Sequence, residues 1–235
     1  MVKIIDGRLK GWKWGLHASE FGSLTGKYEQ ETQAEFIKHI KPHSTVYDLG
    51  ANCGYFSLLA SVLTGKKGKV YAFEPMQENI YLLIQHVNAN RAFSIHVLGL
   101  AITDENKKIV FTDSGNLSAN TYIDASPVFN VGSKIELQGR SLDSLVYDDK
   151  LLPPDFIKID IEGAEFDALK GGERVITQHR PVIYLSTHNN HLEGVEEKCK
   201  NVLHGLGYEL EKRKGECAPV SKPIASREQL KHPMQ

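Results

Sequence analysis

TVYDLGANCGYFSLLAS, residues 45–61, is the stretch that decides the fold. Its apolar start ends at the acidic Asp48, and Gly50 and Gly54 follow before the apolar pattern of a helix begins. The glycines permit a tight turn and a close approach of the backbone to a ligand. An acid buried at the end of a strand costs free energy unless it has a partner. We therefore predict a strand at 46–49, a turn and a helix at about 55–64, with a positively charged ligand group as the partner of Asp48.

The chain that follows repeats this alternation of strand and helix. Residues 69–75 (KVYAFEP) and 93–102 (FSIHVLGLAI) are typical of buried strands, and residues 77–90 between them have helical periodicity. Strands that alternate with helices pair in parallel through right-handed crossovers. The predicted fold class is therefore α/β, with a doubly wound, mostly parallel, Rossmann-like sheet.

Residues 103–150 interrupt this rhythm. Within them, KKIVFTD (107–113) and SKIELQG (133–139) alternate like antiparallel strands, and the polar stretch between them is typical of a long loop. Long ordered loops in compact domains are often functional. We predict an antiparallel insertion around 103–150.

The rest of the chain has weaker or simpler patterns. The first 30 residues predict an irregular segment, with a short hairpin as one option, and the tail at 214–235 predicts an edge strand or no regular structure. The remaining predicted elements are a helix at 31–41, a strand at 155–160 (DFIKID), a helix at 164–177, a strand at 181–186, a helix at about 192–206 and a strand at 208–213.

Composition excludes several functional classes. The 235 residues suffice for one good core and are too few for two comfortable domains. A net charge of −1 argues against a protein that binds the phosphates of nucleic acid. Cys53, Cys199 and Cys217 form no CxxC pair, which indicates neither a disulfide framework nor a zinc site and favours a reducing compartment. The sequence has no signal-peptide pattern and no run of about 18 apolar residues, so we expect a cytoplasmic protein without membrane insertion.

The candidate ligand-binding residues follow the first two strands, because open parallel sheets bind ligands at the carboxyl ends of their strands. A dinucleotide site would favour GxGxxG, and Asp48 in the turn with Gly50, Asn52 and Gly54 would repel a phosphate. S-adenosylmethionine, which carries an ammonium and a sulfonium group and no phosphate, suits that acid. Glu74 can accept hydrogen bonds from the 2′- and 3′-hydroxyls of a ribose. The alternatives are a structural turn with a capping aspartate and a solvated glutamate.

Two later stretches carry further candidates. In IKIDIEGAE, Asp160, Glu162 and Glu165 crowd one strand exit, which suits a cation, a metal or a substrate hydroxyl. Alternatively, the two glutamates only favour a helix N-terminus. In LSTHNNHL, His188 and His191 could each be a general base, a metal ligand or a surface residue.

Several stretches together resemble the FkbM family of S-adenosylmethionine-dependent methyltransferases. The resemblance spans about Tyr28 to His188 and rests on VYDLGANCGYFS, VYAFEP with a helix and NAN after it, SLDSL, FIKIDIEGAEFDALKGG and RPVIYLSTH. It implies the class I methyltransferase fold, S-adenosylmethionine as cofactor and O-methylation of a hydroxyl on a sugar, a glycan or a related metabolite. Many relatives have a glutamate where this chain has Ser186, so the acceptor-side chemistry stays open.

The resemblance also implies a role for each matching residue. Tyr28 and Glu29, in GKYEQE, match a motif that closes over the site and would contact the substrate. The cofactor-binding residues would be Asp48, Gly50, Asn52 and Gly54 at the methionine part, Glu74 at the ribose, Ala101 at the adenine and Asp160 beside the transferring methyl group.

Several mechanisms and functions remain open. The general base is His188 or Asp160, and Glu162 is a further catalytic candidate. In a metal-assisted version, these three residues hold Mg²⁺ or another divalent ion against the acceptor oxygen. One rival function is an NAD(P)-dependent oxidoreductase, although the chain lacks GxGxxG and a Tyr-x-x-x-Lys pair. Another is a non-catalytic methyltransferase-like partner subunit.

We expect one structural domain with three parts. They are an N-terminal segment and helix that cover the site (1–44), a class I methyltransferase catalytic domain (45–213) and the C-terminal tail or edge strand (214–235). The expected partner is a small-molecule or saccharide substrate, with no nucleic acid.

Overall fold

The computed structural model describes residues 1–18, 21–113, 121–122, 133–187, 194–211 and 220–223. Its strands are β1 (Val2–Lys3), β2 (Lys13–Trp14), β3 (Thr45–Leu49), β4 (Lys69–Phe73), β5 (Ile95–Leu98), β6 (Ala101–Ile102), β7 (Lys107–Asp113), β8 (Thr121–Tyr122), β9 (Ser133–Arg140), β10 (Phe156–Ile159), β11 (Val182–Leu185), β12 (Tyr208–Glu211) and β13 (Val220–Pro223). Its helices are α1 (Phe21–Thr25), α2 (Gln30–His39), α3 (Tyr55–Thr64), α4 (Gln77–Asn90), α5 (Leu142–Tyr147), α6 (Glu165–Lys170), α7 (Glu173–His179) and α8 (Val195–Gly205).

The main sheet is built around parallel strands in the order β11-β10-β3-β4-β5. Antiparallel β13 and β12 extend it beyond β11. The chain runs outward from β3 to β5 and then returns to β10 and β11 on the other side of β3. The predicted doubly wound, mostly parallel α/β sheet is confirmed. Because strand order reverses between β3 and β10, the carboxyl ends of these strands are where such a sheet binds ligands.

Helices cover both faces of this sheet. Every residue of β3 is buried, as expected of a parallel strand that lies between two helical layers. Its successive residues point to opposite faces. Val46 therefore packs in a cluster that includes residues of α2, α3 and α4, while Tyr47 packs in a second cluster with residues of α5 to α8. These two clusters form most of the core.

The antiparallel insertion predicted around 103–150 is confirmed. β7 pairs antiparallel with β9 along its whole length, and β6 joins the other side of β9 in parallel. Helix α5, which was not predicted, follows β9. Its N-cap is Ser141, whose hydroxyl accepts a hydrogen bond from the backbone N–H of Ser144 at 3.2 Å.

Three predicted elements differ from the structure. The single strand predicted at 93–102 is two strands, β5 and β6, which belong to different sheets. The chain turns between them, where the backbone N–H of Leu100 donates to the carbonyl oxygen of Leu98 at 3.0 Å. The single helix predicted at 164–177 is two helices, α6 and α7, separated by Gly171 and Gly172. A Cβ at Gly171 would lie 2.2 Å from the carbonyl oxygen of Thr103, so the chain bends where it meets the insertion. The tail contains a strand, but its predicted position at the sheet edge is wrong. β13 lies between β11 and β12, which leaves β12 at the edge.

The N-terminal segment includes the short hairpin that the sequence suggested, formed by β1 and β2. Within the described ranges, each helix is too short or too polar to cross a membrane.

Candidate active site

A cavity of about 390 Å³ lies at the carboxyl ends of β3, β4 and β10, beside the reversal in strand order. Its volume is in the range of small-ligand sites. The predicted site residues in its wall are Tyr28, Glu29, Gly50, Asn52, Glu74, Ala101, Asp160 and Glu162. Two further predicted residues, Asp48 and Gly54, are buried behind the wall. His188 and His191 lie outside the described residues.

The turn after β3 is held in place by the end of β4. The backbone N–H groups of Gly50 and Ala51 both donate to the carbonyl oxygen of Phe73, at 3.0 and 2.9 Å. Gly50 (φ +75°), Asn52 (φ +49°) and Gly54 (φ +93°) all have left-handed backbones, a region that glycine and asparagine tolerate best. The sequence therefore fixes the shape of this turn.

Gly54 has a structural role in the packing of two helices, and its predicted ligand contact stays a prediction. It precedes α3 directly, and a Cβ there would lie 2.2 Å from the Cδ1 atom of Leu83 in α4. The missing side chain thus lets α3 begin tightly against α4, behind the cavity wall.

Gly50→Ala is expected to destabilise the protein more than Gly11→Ala does. Both glycines have a positive φ (+75° and +85°), so alanine costs roughly 1–2 kcal/mol at either position. A Cβ at Gly50 would also lie 1.9 Å from the carbonyl oxygen of Asp160, whereas nothing lies within 4 Å of one at Gly11. Overpacking adds about 1–3 kcal/mol. Urea denaturation should resolve this difference, and equal losses would contradict the close packing.

Glu74 is a preorganised acceptor at the end of β4. Its carboxylate accepts hydrogen bonds from the backbone N–H of Asn52 at 2.8 Å, the backbone N–H of Met76 at 3.0 Å and the side-chain amide of Asn79 at 3.2 Å. Burial raises the pKa of Glu74, and these bonds oppose the rise. A carboxylate has roughly four acceptor positions. Glu74 can therefore also accept a bond from a ligand hydroxyl.

Asp48 is enclosed by protein atoms, which corrects the expectation that a ligand supplies its partner. Its Oδ2 accepts a hydrogen bond from the hydroxyl of Ser57 at 2.6 Å, and its Oδ1 lies 3.4 Å from the ammonium nitrogen of Lys158. The carboxylate is fully buried. The cation that compensates Asp48 therefore belongs to the protein.

Lys158 is a residue of the cavity wall that the sequence reasoning missed. It lies in the middle of β10, in register with Asp48 of β3, and its side chain is almost completely buried. Burial alone would lower its pKa, but the carboxylates of Asp160, Asp48 and Glu29 outweigh burial and raise the pKa. The signal was a lysine inside the apolar run FIKI, two residues before Asp160, because lysine is almost never buried without a partner.

The polar part of the wall includes Tyr28, Glu29, Lys158, Asp160, Glu162 and Ser186. Tyr28 is hydrogen-bonded to Glu29, and burial together with this carboxylate raises the pKa of the phenol, which stays protonated. Glu29 also accepts from Thr32 at 2.9 Å. Within the described part of the chain, no group of three His, Cys, Asp or Glu side chains is placed to hold a metal ion.

Part of the apolar wall is a separate small cluster of Met76, Ala101, Ile109 and Ala164. Ala101, which the resemblance places at the adenine, is therefore in apolar surroundings. A flat aromatic base suits such a pocket. Glu74, which can accept a hydrogen bond from a ribose hydroxyl, lies in the same wall. The wall therefore fits a nucleoside cofactor.

His86 connects the N-terminal segment to the cavity wall, in which Trp14 and Cys53 lie. Its Nε2 accepts from the backbone N–H of Gly15 at 2.9 Å, and its Nδ1 lies 2.8 Å from the carbonyl oxygen of Cys53. The ring of Trp14, a wall residue, stacks on the imidazole at 3.9 Å. Because Nε2 accepts a hydrogen bond, it carries no proton. His86 is therefore neutral, with its proton on Nδ1.

Acidification below about pH 6.5 is expected to destabilise the protein through His86. Burial lowers its pKa in the folded state, so the unfolded chain takes up a proton that the folded chain refuses, and stability falls as pH falls. The free energy of unfolding is expected to fall by up to ~1.4 kcal/mol per pH unit. Urea denaturation at pH 7.5 and 5.5 should show a smaller loss for His86→Gln than for the wild type. The exposed-site control His43→Asn should keep the wild-type slope, and an unchanged slope in His86→Gln would contradict the assignment.

Comparison with known proteins agrees with this geometry. An α/β sheet with a cavity at its strand reversal and an acid at a strand end is common to dinucleotide-binding folds and class I methyltransferases. The sequence pattern of the methyltransferase FkbM domain matches residues 48–210, more than half of the chain. The protein therefore belongs to the FkbM family of S-adenosylmethionine-dependent methyltransferases.

Solved structures show the same fold at low sequence identity. A methyltransferase FkbM from Methylobacillus flagellatus aligns with a TM-score of 0.54 and 19% identity over 86% of this chain, which spans 55% of that protein. A precorrin-6y C5,15-methyltransferase from Geobacter metallireducens aligns with a TM-score of 0.51 and 16% identity, over 89% of this chain and 90% of that one. An S-adenosylmethionine-dependent O-methyltransferase from Thermotoga maritima aligns with a TM-score of 0.52 and 10% identity, over 85% and 67%. None of the curated proteins matches significantly in sequence.

Proposed function

We propose that the protein transfers a methyl group from S-adenosylmethionine to a hydroxyl oxygen of a sugar, a glycan or a related metabolite. The observation that carries the proposal is that one cavity combines the apolar cluster and Glu74 with the polar part of the wall. The first set of residues suits a nucleoside, and the second set suits an acceptor that presents hydroxyl groups.

The cofactor is expected to lie across the ends of β3 and β4. Glu74 would accept hydrogen bonds from the ribose hydroxyls, and the turn at Gly50 and Asn52 would face the methionine part. The adenine would contact the apolar cluster of Met76, Ala101, Ile109 and Ala164. These placements are the ones that the family resemblance implies, and the chemistry of each residue and its position in the wall support them.

The protein aligns the reactants and removes a proton. S-adenosylmethionine, when bound, supplies an activated methyl carbon, and the electrons of the broken C–S bond return to sulfur as the acceptor oxygen forms the new C–O bond. Alignment of this kind contributes up to roughly 7–11 kcal/mol in model systems. The carboxylate of Asp160 takes the proton that the hydroxyl loses and later passes it to water. Glu162 is close in sequence and shares the same wall.

Asp160→Asn is expected to lower kcat by about 10²–10⁴, because the amide cannot take a proton. Binding of S-adenosylhomocysteine should be retained, since Glu74 and the turn are untouched. His188→Ala is the matched test of the alternative base. If His188→Ala abolishes turnover while Asp160→Asn preserves it, the base is His188.

A metal-assisted version remains a second candidate. In it, Asp160, Glu162 and His188 would bind a divalent ion and hold it against the acceptor oxygen. Carboxylate and imidazole ligands support this candidate. Dialysis against EDTA separates the versions: a metal-assisted enzyme loses turnover and regains it with Mg²⁺ or Mn²⁺, whereas base catalysis by Asp160 continues.

The test of the proposed function has two parts. Calorimetric titration should show binding of S-adenosylhomocysteine and none of NADH, and tight NADH binding alone would favour the oxidoreductase. Incubation with radiolabelled S-adenosylmethionine and a panel of neutral sugars, amino sugars and glycosides should then give labelled ethers. Cofactor binding without transfer to any hydroxylated acceptor would favour the non-catalytic partner subunit.

A further inference from the structure

Lys158 contacts three elements of the site at once. Its Nζ lies 3.2 Å from Oδ2 of Asp160 and donates to the carbonyl oxygen of Gly50 at 3.1 Å, in addition to its 3.4 Å contact with Asp48. It also lies 5.7 Å from the centre of the Phe56 ring. One buried ammonium group thus joins the end of β3, the turn after it and the end of β10.

The two carboxylates that share this cation have different surroundings. Asp48 is fully buried and has Ser57 as a second partner. The side chain of Asp160 is 23% exposed and lies in the cavity wall. Lys158 itself also lines the cavity. The ion pair of Lys158 with Asp160 therefore faces the cavity, whereas its contact with Asp48 lies behind the wall.

A cation in this position has two different possible roles. As a counter-ion, it would only compensate the buried charge of Asp48. As a positioning residue, it would also fix the direction in which the Asp160 carboxylate faces. A misplacement of about 1 Å at a reacting group can cost roughly 100-fold in rate, so the two roles predict different kinetics.

We propose that Lys158 is a positioning residue for methyl transfer. It holds the Asp160 carboxylate at the place in the wall where the acceptor hydroxyl loses its proton. The inference rests on the proposed function of Asp160. Strand geometry supports it: Lys158 and Asp160 are two residues apart and project from the same side of the chain, while register places Lys158 beside Asp48. The position of Asp160 is thereby fixed relative to the turn that carries Gly50.

The test uses the paired variant Asp48→Asn/Lys158→Met. It removes one charge of each sign, so the net charge near the cavity is unchanged and no buried charge is left alone. Asp160→Asn is then added both to the wild type and to the paired variant. Lys170→Met is the matched control, because Lys170 makes an ion pair of 2.6 Å with Glu173 on the exposed surface.

Kinetics are measured with the saccharide that gives the highest turnover in the acceptor panel, and binding with S-adenosylhomocysteine. The paired variant should lose about 100-fold in kcat, with its dissociation constant for S-adenosylhomocysteine unchanged within ~3-fold. Adding Asp160→Asn to the paired variant should lower kcat by less than ~3-fold further, because the effects of substitutions at residues that act as a unit are not additive. Lys170→Met should match the wild type.

Three results would overturn the proposal: wild-type kcat in the paired variant, additive losses with Asp160→Asn, or wild-type kcat in Asp160→Asn alone. The last result needs no buried substitution. If the paired variant folds poorly, Asp48→Asn/Lys158→Gln keeps a donor for Gly50 and is judged by the same results. Failure of the proposed function is distinct, because the wild type itself would then bind no S-adenosylhomocysteine or methylate no acceptor.

Discussion

Glu74→Gln is expected to weaken the binding of S-adenosylhomocysteine by about 10- to 100-fold. Three protein donors leave roughly one acceptor position of the Glu74 carboxylate for a ribose hydroxyl. A hydrogen bond to a charged acceptor contributes roughly 1.5–3 kcal/mol, and each 1.4 kcal/mol is about a factor of ten. The amide also replaces one of the two oxygens that accept from the N–H groups of Asn52 and Met76. Calorimetric titration measures the effect.

The control for this prediction is Glu78→Gln. Glu78 is exposed in the first turn of α4 and outside the cavity wall, so its variant should bind like the wild type. Circular dichroism establishes that both variants are folded. Wild-type affinity in Glu74→Gln would remove Glu74 from the cofactor site.

The second large effect is on stability. Lys158→Met is expected to cost about 3–5 kcal/mol of unfolding free energy, because it leaves the buried Asp48 carboxylate without its cation. For a chain of this length, that lowers Tm by roughly 6–20 °C. Adding Asp48→Asn should restore most of the loss, since the asparagine can still accept from Ser57 and carries no charge.

Thermal and urea denaturation of the single and paired variants measure this coupling. The paired variant should be more stable than Lys158→Met alone by more than ~2 kcal/mol. A Lys158→Met protein as stable as the wild type would show that Asp48 does not depend on this cation.

The elements with strong apolar periodicity could be predicted from the sequence. Helices α3 and α4 have the predicted bounds, and β3 and β10 differ from them by one or two residues, because a parallel sheet buries its strands on both faces. The break between α6 and α7 could not be predicted, since it depends on how closely Gly171 approaches Thr103. The place of β13 depends on pairing between strands far apart in the sequence.

The candidate site was predicted in outline. Strand ends that meet at one edge of a sheet brought Glu74 and Asp160 to one cavity, as topology required. The partner of Asp48 was missed because it follows from register: Lys158 lies beside Asp48 only when β10 is paired with β3. A lysine is ordinarily expected at the protein surface, and only the observed pairing of β10 with β3 explains why Lys158 is buried.

The central claim is that the cavity at the reversal in strand order binds S-adenosylmethionine. A crystal structure of the protein with S-adenosylhomocysteine tests it most directly. We expect the ribose hydroxyls within hydrogen-bonding distance of Glu74, the adenine against Ala101 and Met76, and the sulfur facing Asp160. A ligand bound elsewhere, or one whose ribose points away from Glu74, would contradict the account.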